Sequence, residues 1–445
     1  MTTPLAARPA AQLGPEVVAA LADASPSWLA ERRRAAWDAY TALPMPSSAR
    51  DEDWRRTDIS GLRIDEYSLL DSVDASVVGA MRRQRNQAAP EAAFAIDAPG
   101  VYQVVENADA LLAQGVIVTT LEEAATRHPE LARRALTSVP ADAGKFTALW
   151  NALWRGGVFV HVPAGVEALT PVWIAHPAAG EGGMFFPTTV IQVDDGASLT
   201  VIDATSSPAG SAEMFSNAVT VLRAGRDARL DFCQLQQLGH GVWHVATDRA
   251  TLDSGAALRF FGVTLGARLQ KAYWEAFLDG RGAEADLYGI CLGSEHQHHD
   301  HQSLQAHRAP ETRSRLLLKT AVRDQARSVY GGLIDVAPEA VHADGYVENR
   351  NLLLSRGAKA DSVPRLEIRA NDVRCGHGAT AGHIDQEERF YLMARGIPRE
   401  QADSLIVRGF MDAVVDRIPH AGLAALVGEI LDQEITGQLP EDAET

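Results

Sequence analysis

The chain has 445 residues, of which 46% are apolar and 22% charged, a composition that excludes wholesale disorder. Its 58 acidic residues outnumber its 41 basic ones, so it lacks the positive surface that nucleic acids and anionic membranes select. Three cysteines are too few for a disulfide framework and indicate a reducing compartment. No apolar run reaches the roughly 20 residues of a membrane span. Because residues 1–12 also lack the apolar core of a secretory signal, we expect a cytoplasmic protein.

Residues 1–155 are predicted to form a mostly helical region. Apolar residues recur at helical spacing in residues 28–40, and the prolines that follow this segment end the helix. Residues 121–136 and 145–154 are predicted as two further helices.

The same region contains one sequence that could bind phosphate. Gly144 and Lys145 form the pair on which such loops depend. However, Val139 stands where the motif needs Gly, and Phe146 stands where Ser or Thr should bind magnesium. The sequence therefore predicts no nucleotide site here.

Residues 156–373 change to short strand-like segments separated by Gly, Asp and Asn turns. Within them a turn followed by Ala recurs at similar intervals, with one longer gap: Ala197, Ala228, Ala256, Ala283, Ala326 and Ala358. A repeat of roughly 30 residues favours a stacked β-solenoid. The alternative is a β-sandwich, but its turns recur about every 8–12 residues without a longer repeat. The longer gap predicts an insertion between Ala283 and Ala326.

Residues 374–445 are predicted to be helical again. Pro398 suits the first turn of a helix, because its missing N–H costs nothing there. An apolar stripe at steps of three and four follows and includes Leu405, Phe410 and Val414. The whole chain is therefore predicted to be a β-solenoid core between helical N-terminal and C-terminal regions.

The densest group of potential metal ligands is one short histidine-rich segment. Imidazoles and carboxylates at this density can bind zinc, iron or nickel. Alternate residues of a strand share a face, so His299 and His301 would point one way and His298 and Asp300 the other. A metal cannot use them all, and hydrogen-bonded histidines in a solvated turn are the competing interpretation. His299, His301 and the nearby His307 are therefore secondary metal candidates.

A second cluster lies where the predicted solenoid gives way to the C-terminal helices. Cys375 and His377 are two positions apart, so both side chains point the same way in an extended segment. A thiolate and an imidazole are good ligands for iron or for an iron–sulfur cluster. Two ligands leave such a site incomplete, so the others would come from elsewhere in the chain or from another chain. A purely structural Cys–His pair is the alternative.

A different class of function is a β-helix enzyme that acts on polysaccharide through carboxylate pairs such as Asp194 and Asp195. Most such enzymes are secreted, and no signal is visible in the sequence. The chain also has no nucleophile elbow of the G-x-S-x-G type, no C-x-x-C pair and no H-E-x-x-H zinc motif. The polysaccharide enzyme is therefore the less favoured hypothesis.

The segment around Cys375 and His377 resembles the SufB/SufD family of iron–sulfur cluster assembly proteins. The matching segments are residues 349–355, 364–368, 375–380, 390–391 and 395–397. Further upstream, a string before the final coils also resembles the family: Asp300, His301, His307, Thr312 and Ser314. Trp28 and residues 52–58 resemble the family's N-terminal region, so the resemblance covers nearly the whole chain.

Within the family, the chain resembles the SufD branch. Residues 377–385 match the SufD type of string, whereas the SufB branch carries a Cys-Glu-His-Glu-Ala-Thr type of string. Gly376 and Gly378 stand where that string has carboxylates. A SufB-like, cluster-carrying subunit is the alternative. Arg389 departs from the family, in which an apolar residue is usual at that position.

The resemblance implies a right-handed parallel β-helix between helical termini. It also implies a non-catalytic scaffold subunit of the SUF iron–sulfur cluster assembly complex. Such a subunit pairs with SufB, and each binds a copy of the ATPase SufC, on which ATP hydrolysis is expected. A homodimer is the other pairing that we consider.

The resemblance also assigns tentative sites. A transient cluster or iron would lie at the SufB–SufD interface, with His377 and Cys375 as this chain's ligands, and no cofactor would be tightly bound to the isolated chain. The C-terminal helical region would bind SufC, and the candidate contacts are Phe390, Tyr391, Leu405, Phe410 and Val414. Deleting residues 386–437 is expected to abolish this binding and to leave the solenoid folded.

Overall fold

The computed structural model describes residues 13–98, 101–210 and 212–438. The predictions that involve residues 1–12 and 439–445 lie outside these described residues. Two long sheets, built mostly from parallel strands, face each other and enclose a continuous apolar interior. The chain forms a parallel β-solenoid of about eight coils flanked by N-terminal and C-terminal helices. The predicted mainly β fold class is confirmed.

The strands alternate between the two sheets along the chain. In chain order they are β1 Ser68–Leu69, β2 Ala93–Ala98, β3 Val101–Glu106, β4 Ile117–Thr120, β5 Val158–Val162, β6 Val172–Pro177, β7 Gly183–Phe185, β8 Thr188–Val193, β9 Ser198–Ser206, β10 Met214–Ala224, β11 Arg229–Gln237, β12 Val242–Leu252, β13 Ala257–Thr264, β14 Leu269–Leu278, β15 Glu284–Gly293, β16 His298–His307, β17 Arg313–Val322, β18 Arg327–Val336, β19 Asp344–Leu353, β20 Lys359–Ile368 and β21 Arg374–His383. From β8 onward, even-numbered strands belong to the first sheet and odd-numbered strands to the second. One strand from each sheet makes one coil.

The helices lie mostly at the two ends of the chain. They are α1 Pro15–Asp23, α2 Ser27–Ala42, α3 Ala75–Ala88, α4 Asp109–Ala113, α5 Leu121–Arg127, α6 Pro129–Leu136, α7 Lys145–Leu153, α8 Gln386–Met393, α9 Arg399–Val415 and α10 Ala421–Gln438. The single helix predicted over residues 121–136 is wrong, because Pro129 cannot continue the helix of α5 and instead begins α6. Within the described part of the chain, no helix has the length and apolar character that crossing a membrane requires.

Successive coils have nearly the same length, as the register of the second sheet shows. Arg229 lies opposite Ala257, Ala257 opposite Glu284, and Glu284 opposite Arg313. The separation of these partners along the chain is almost constant, so the chain between β15 and β17 contains no insertion.

The predicted insertion is wrong because the recurring alanines do not all lie at the same corner of a coil. Ala283 precedes β15 in the second sheet, whereas Ala326 precedes β18 in the first sheet. The residue that precedes β17, at the corner equivalent to that of Ala283, is the buried Thr312. Both corners of a coil need a small or buried residue, and the sequence pattern does not distinguish them.

Aromatic side chains fill the middle of the interior. The ring of Phe260 stacks on that of Phe232 at 5.7 Å and is tilted against Trp274 at 5.2 Å. Gly262 and Gly289 leave room for Trp274, because a Cβ atom at these positions would lie 2.4 Å and 2.7 Å from its ring. Burying each such side chain contributes about 1.5–3 kcal/mol to folding.

Helices cover the outer face of each sheet. The N-terminal helices pack on the first sheet around a second apolar cluster that includes Trp150, Trp154 and Phe215. Helices α3, α9 and α10 pack on the second sheet around a third cluster that includes Trp173 and Phe261. The C-terminal helices and α3 therefore cover one face of the solenoid, and the other N-terminal helices cover the opposite face.

The last coil extends beyond the boundary predicted at residue 373. Strand β21 falls in the region expected to be helical, and it pairs with β19 along its full length. The helices begin only at Gln386. Cys375 and His377 are therefore part of the solenoid rather than of the helical region.

Candidate functional site

The solenoid ends in a coil that later coils do not cover. Strand β20 pairs with β18 and strand β21 with β19, and their other edges meet no further strand among the described residues. Most residues of β20 and β21 are exposed or half-buried, in contrast to the strands beneath them. We call this last coil the open end.

Cys375 lies on β21 opposite Gly345. Its side chain is half-buried and packs against the apolar interior, so it points inward. Burial raises the pKa of the Cys375 thiol, and a backbone hydrogen bond from Gly345 partly opposes that rise. The thiol is therefore accessible from the open end while its backbone position is fixed by the sheet.

His377 lies two positions further along β21, opposite the interior residue Val347. Because alternate residues of a strand share a face, it lies on the same face as Cys375, as the spacing of the pair predicts. Its side chain is exposed. Among the described residues it has no hydrogen-bond or ion-pair partner, so both ring nitrogens are available to a ligand.

The outer face of β21 is covered by Tyr346. A Cβ atom at Gly376 would lie 3.5 Å from the Tyr346 ring, and one at Gly378 would lie 3.1 Å from the Tyr346 hydroxyl. The contact at Gly376 is an ordinary one, whereas a side chain at Gly378 would require the Tyr346 hydroxyl to shift slightly.

Apolar side chains complete the open end. Leu366 and Ile368 of β20 lie opposite the interior residues Ile334 and Val336, so they continue the inner face of the first sheet. Both are partly exposed, because no coil follows. The open end therefore combines an apolar surface, unpaired strand edges and the predicted ligands Cys375 and His377.

The three secondary metal candidates lie deep in the solenoid. His299 and His301 share the inner face of β16, while Asp300 faces the N-terminal region, as the alternation predicts. His307 is hydrogen-bonded to Thr312 and to Ser314, each at 2.8 Å. Among the residues that the structure describes, no group of three or more potential ligands is arranged for a metal ion.

Burial keeps these histidines neutral. It lowers the pKa of His301 and of His307 to about 4, although Asp300 and Asp344 partly oppose the effect. Burial and the neighbouring His301 hold the pKa of His299 well below its usual range. These residues act as packing residues of the closed coils, so the structure does not support a metal site there.

Asp300 belongs to a buried ion pair that joins the N-terminal region to the first sheet. The Lys271 ammonium donates to the Asp300 carboxylate at 2.7 Å, and neither side chain is exposed. Lys271 also donates to the Asp53 carbonyl and lies 5.1 Å from the Trp54 ring, while the Thr57 hydroxyl donates to Asp300. Sequence reasoning did not find this pair, because its members lie in separate coils.

The candidate contacts on the C-terminal helices divide into two groups. Phe390 is 72% exposed, and Tyr391 and Leu405 are also exposed. Met393, which sequence reasoning missed, is exposed on the same short helix as Phe390, one turn further along. These four residues form the exposed apolar patch of α8 and α9.

The predictions for Phe410 and Val414 need correction. Val414 is only 2% exposed and packs in the cluster that covers the second sheet. Phe410 packs against the same cluster, and the Lys319 ammonium lies 4.4 Å from its ring. Both side chains are used within the chain, because the apolar stripe of α9 faces its own core.

Arg389 has a structural explanation for its departure from the family pattern. Its guanidinium forms two hydrogen bonds with the Asp403 carboxylate, at 2.6 Å and 3.0 Å. Both side chains are largely buried, so this pair fixes α8 against α9. It thereby positions the exposed apolar patch.

The carboxylates of the polysaccharide hypothesis are already engaged. Asp194 pairs with His161 at 2.8 Å, and Asp195 accepts hydrogen bonds from the side chain and backbone of Arg226. The hydrogen bonds from Arg226 lower the pKa of Asp195. A carboxyl group with a lowered pKa is a poor general acid near neutral pH, so the geometry gives this hypothesis no support.

Two family models match the chain. The model described as "SUF system FeS cluster assembly, SufBD core domain" matches residues 176–410, which include the open end. The model described as "SufBD protein N-terminal region" matches residues 11–174.

Individual proteins match a shorter part of the chain. A Staphylococcus epidermidis protein named as an iron–sulfur cluster assembly SufBD family protein is 28% identical over 307 residues, which make up 69% of this chain and 66% of that protein. The Bacillus subtilis protein named iron–sulfur cluster assembly protein SufB is 27% identical over 310 residues, or 69% of this chain and 67% of that protein. The chain thus spans about two thirds of the length of these relatives.

Proposed function

We propose that this chain, which belongs to the SufBD family of iron–sulfur cluster assembly proteins, is a non-catalytic scaffold subunit of the SufD type. It would work in the cytoplasm, paired with a SufB-like subunit and with an ATPase of the SufC type. The observation that carries the proposal is the position of Cys375 and His377 on the exposed inner face of the open end.

The two ligands fit a shared site better than a complete one. Protein-bound clusters generally use about four protein ligands, mainly cysteine thiolates. At the open end this chain offers one thiol, Cys375, and the unpaired imidazole of His377, while His383 has one ring nitrogen hydrogen-bonded to the Leu353 carbonyl. A partner at the same end would supply the rest, and the nascent cluster or its iron would be cargo that the complex assembles and passes on.

The open end supports pairing with the SufB-like subunit. Exposed strand edges offer unpaired N–H and C=O groups to a second chain. The partly exposed Leu366 and Ile368 add apolar area to this surface. A second copy of this chain has the same strand edges. A homodimer would therefore form in the isolated protein, when no SufB-like subunit is present.

The exposed apolar patch of α8 and α9 supports docking of the SufC-type ATPase. Phe390, Tyr391, Met393 and Leu405 are exposed together on two helices that an ion pair holds in place. Exposed apolar and aromatic side chains of this kind are common at protein–protein interfaces. ATP hydrolysis would then occur on the partner.

A SufB-like, cluster-carrying subunit is the second candidate, and the Bacillus subtilis relative named SufB favours it. The resemblance of residues 377–385 to the SufD type of string, with Gly at 376 and 378, favours the SufD type instead. Co-expression with a SufB-like chain and a SufC-type ATPase, followed by mass analysis of the intact complex, separates the two. The SufD type predicts a complex with one copy of each large subunit. A cluster-loaded complex that contains this chain and the ATPase, but no SufB-like chain, would support the second candidate.

The role of His377 is tested in that complex. We expect His377→Ala to lower iron and sulfide content while the subunit stoichiometry stays unchanged. The matched control is His240→Ala, because His240 is an exposed histidine outside the last coil that pairs with Glu295. Wild-type cluster content in the His377→Ala complex would refute the proposed role.

A further inference from the structure

The interior of the coils from β14 to β18 contains buried polar atoms that have no hydrogen-bond partner among the described residues. They are Trp274 Nε1, both ring nitrogens of His299, His301 Nδ1, both amide atoms of Gln305, Thr320 Oγ1 and Ser328 Oγ. Each of these residues is at most 2% exposed. Such a group in neighbouring coils needs a physical explanation, since native proteins leave few buried polar groups unpaired.

These atoms lie on the inner faces of neighbouring coils. His299, His301 and Gln305 alternate along the inner face of β16, and His299 lies opposite Ser328 on β18. Gln305 is roughly 20 Å further along the same strand. Ala276 lies opposite Gln305, which places Trp274 of β14 diagonally beside that amide. Unpartnered polar atoms therefore occur near both ends of β16.

A metal ion does not explain this group. Within the described chain no three potential ligands are arranged for one. The imidazoles are neutral, so each offers one N–H donor and one acceptor nitrogen. The amide and the hydroxyl groups can likewise donate and accept. Their common partner must therefore be small, uncharged and able to do both.

We propose that the coils from β14 to β18 enclose ordered water molecules that hydrogen-bond to His299, Gln305, Thr320 and Ser328. Buried waters usually make about three hydrogen bonds to otherwise unpaired groups. A bound water removes the free-energy cost of leaving a buried polar atom unpaired. That cost is larger than the net stabilisation from a typical hydrogen bond. The histidine-rich segment is therefore a hydration site inside the solenoid, independent of the proposed function.

Polar side chains connect this site with the open end. Asn351 donates to Asn349 at 2.7 Å and to the Thr380 carbonyl on β21 at 3.1 Å. The Ser362 hydroxyl of β20 donates to Asn349. Because Asn351 lies opposite Thr320, the polar groups continue from the closed coils to the last coil.

A crystal structure of the full-length chain tests the proposal directly. We expect electron-density peaks about 2.7–3.2 Å from a ring nitrogen of His299, from Thr320 Oγ1 and from Ser328 Oγ. A map that shows surface waters clearly but has no peaks at these atoms would overturn the proposal.

Stability measurements give a second, independent answer. Thr320→Val and Ser328→Ala each remove an unpartnered hydroxyl with little change of shape. If water binds these hydroxyls, both variants lower the urea midpoint. An unchanged or higher midpoint would overturn the proposal, because replacing a dry, unpaired hydroxyl by an apolar group is neutral or stabilising. Ser303→Ala calibrates the shift for one lost hydrogen bond, since Ser303 pairs with the Tyr330 hydroxyl at 2.7 Å.

Discussion

Cys291 and Cys375 occupy similar places in the solenoid, but only Cys375 is accessible. Both lie on the second sheet and on the inner side, Cys291 opposite Thr320 and Cys375 opposite Gly345. Later coils bury Cys291 completely, whereas Cys375 lies in the last strand and is half-buried. Burial raises the pKa of both thiols.

The histidines repeat this contrast. His299 and His301 face inward in a closed coil and are buried, and His377 faces inward at the open end and is exposed. The same residue type on the same inner face is therefore a packing residue in one coil and an available ligand in another. Whether a later coil covers the histidine, rather than the residue type, decides between these two roles.

Removing the helical cover should have the largest effect on the closed coils. Helices α9 and α10 contribute to the apolar cluster on the second sheet, where α9 packs on β15 and β17. We therefore expect deletion of residues 386–437 to produce insoluble or unfolded protein. This reverses the expectation from sequence that the solenoid would survive. Solubility and circular dichroism measure the outcome, and a truncated chain that melts cooperatively like the full chain would contradict it.

Breaking the buried ion pair should have the next largest effect. Lys271→Met leaves the Asp300 carboxylate buried without its cation, which should lower the free energy of unfolding by about 3–5 kcal/mol. The control is Arg365→Met, whose ion pair with Asp53 is exposed and should contribute about 0–1 kcal/mol. Urea unfolding compares the two variants. Equal losses of unfolding free energy in the two variants would contradict the expectation that the buried ion pair contributes more than the exposed one.

The closed coils should also make the protein sensitive to acid. The pKa of His301 and of His307 falls from 6.5 to about 4 on folding, so the folded state binds fewer protons than the unfolded state. This contribution is fully present above pH 6.5 and is lost as the pH falls towards 4. Each histidine can account for a loss of about 3 kcal/mol, since one pKa unit corresponds to about 1.4 kcal/mol.

Urea midpoints at pH 7 and pH 5 measure this loss. His307→Gln should reduce the difference between the two midpoints, because it removes one group that titrates on unfolding. Val414→Ala removes no ionisable group and should leave the difference unchanged. If both variants showed the same difference between the two midpoints, His307 would not contribute to the acid sensitivity.

Changes in the exposed apolar patch should have the smallest effect on stability. Phe390→Ser should alter the free energy of unfolding by less than about 0.5 kcal/mol, since the side chain is 72% exposed. The same variant should lose binding to the SufC-type ATPase. Val414→Ala is the control with the reverse expectation. It should lower the free energy of unfolding, because Val414 is buried, and should leave ATPase binding unchanged. Undiminished ATPase binding by Phe390→Ser would move the docking surface elsewhere.

The fold was accessible from the sequence because a repeated coil needs small residues at repeated positions. The spacing of Ala197, Ala228, Ala256 and Ala283 gives the length of one coil directly. The insertion before Ala326 was misread because the two corners of a coil have the same requirements. Only the strand register shows which corner an alanine occupies.

The candidate site was accessible in part, since alternation along a strand places Cys375 and His377 on one face. The burial of His299 depends on coils that come later in the chain, so local sequence cannot reveal it. Val414 was misassigned for a related reason. An apolar stripe marks the buried face of a helix, and here that face packs on the chain's own second sheet.

Thiol labelling of the isolated chain and of its complex with a SufB-like subunit tests the central claim most directly. Mass spectrometry after maleimide treatment reports each cysteine separately. We predict that Cys375 is labelled in the isolated chain and protected in the complex, whereas the buried Cys233 and Cys291 stay unlabelled in both. Equal labelling of Cys375 in the complex and in the isolated chain would contradict a shared site at the open end.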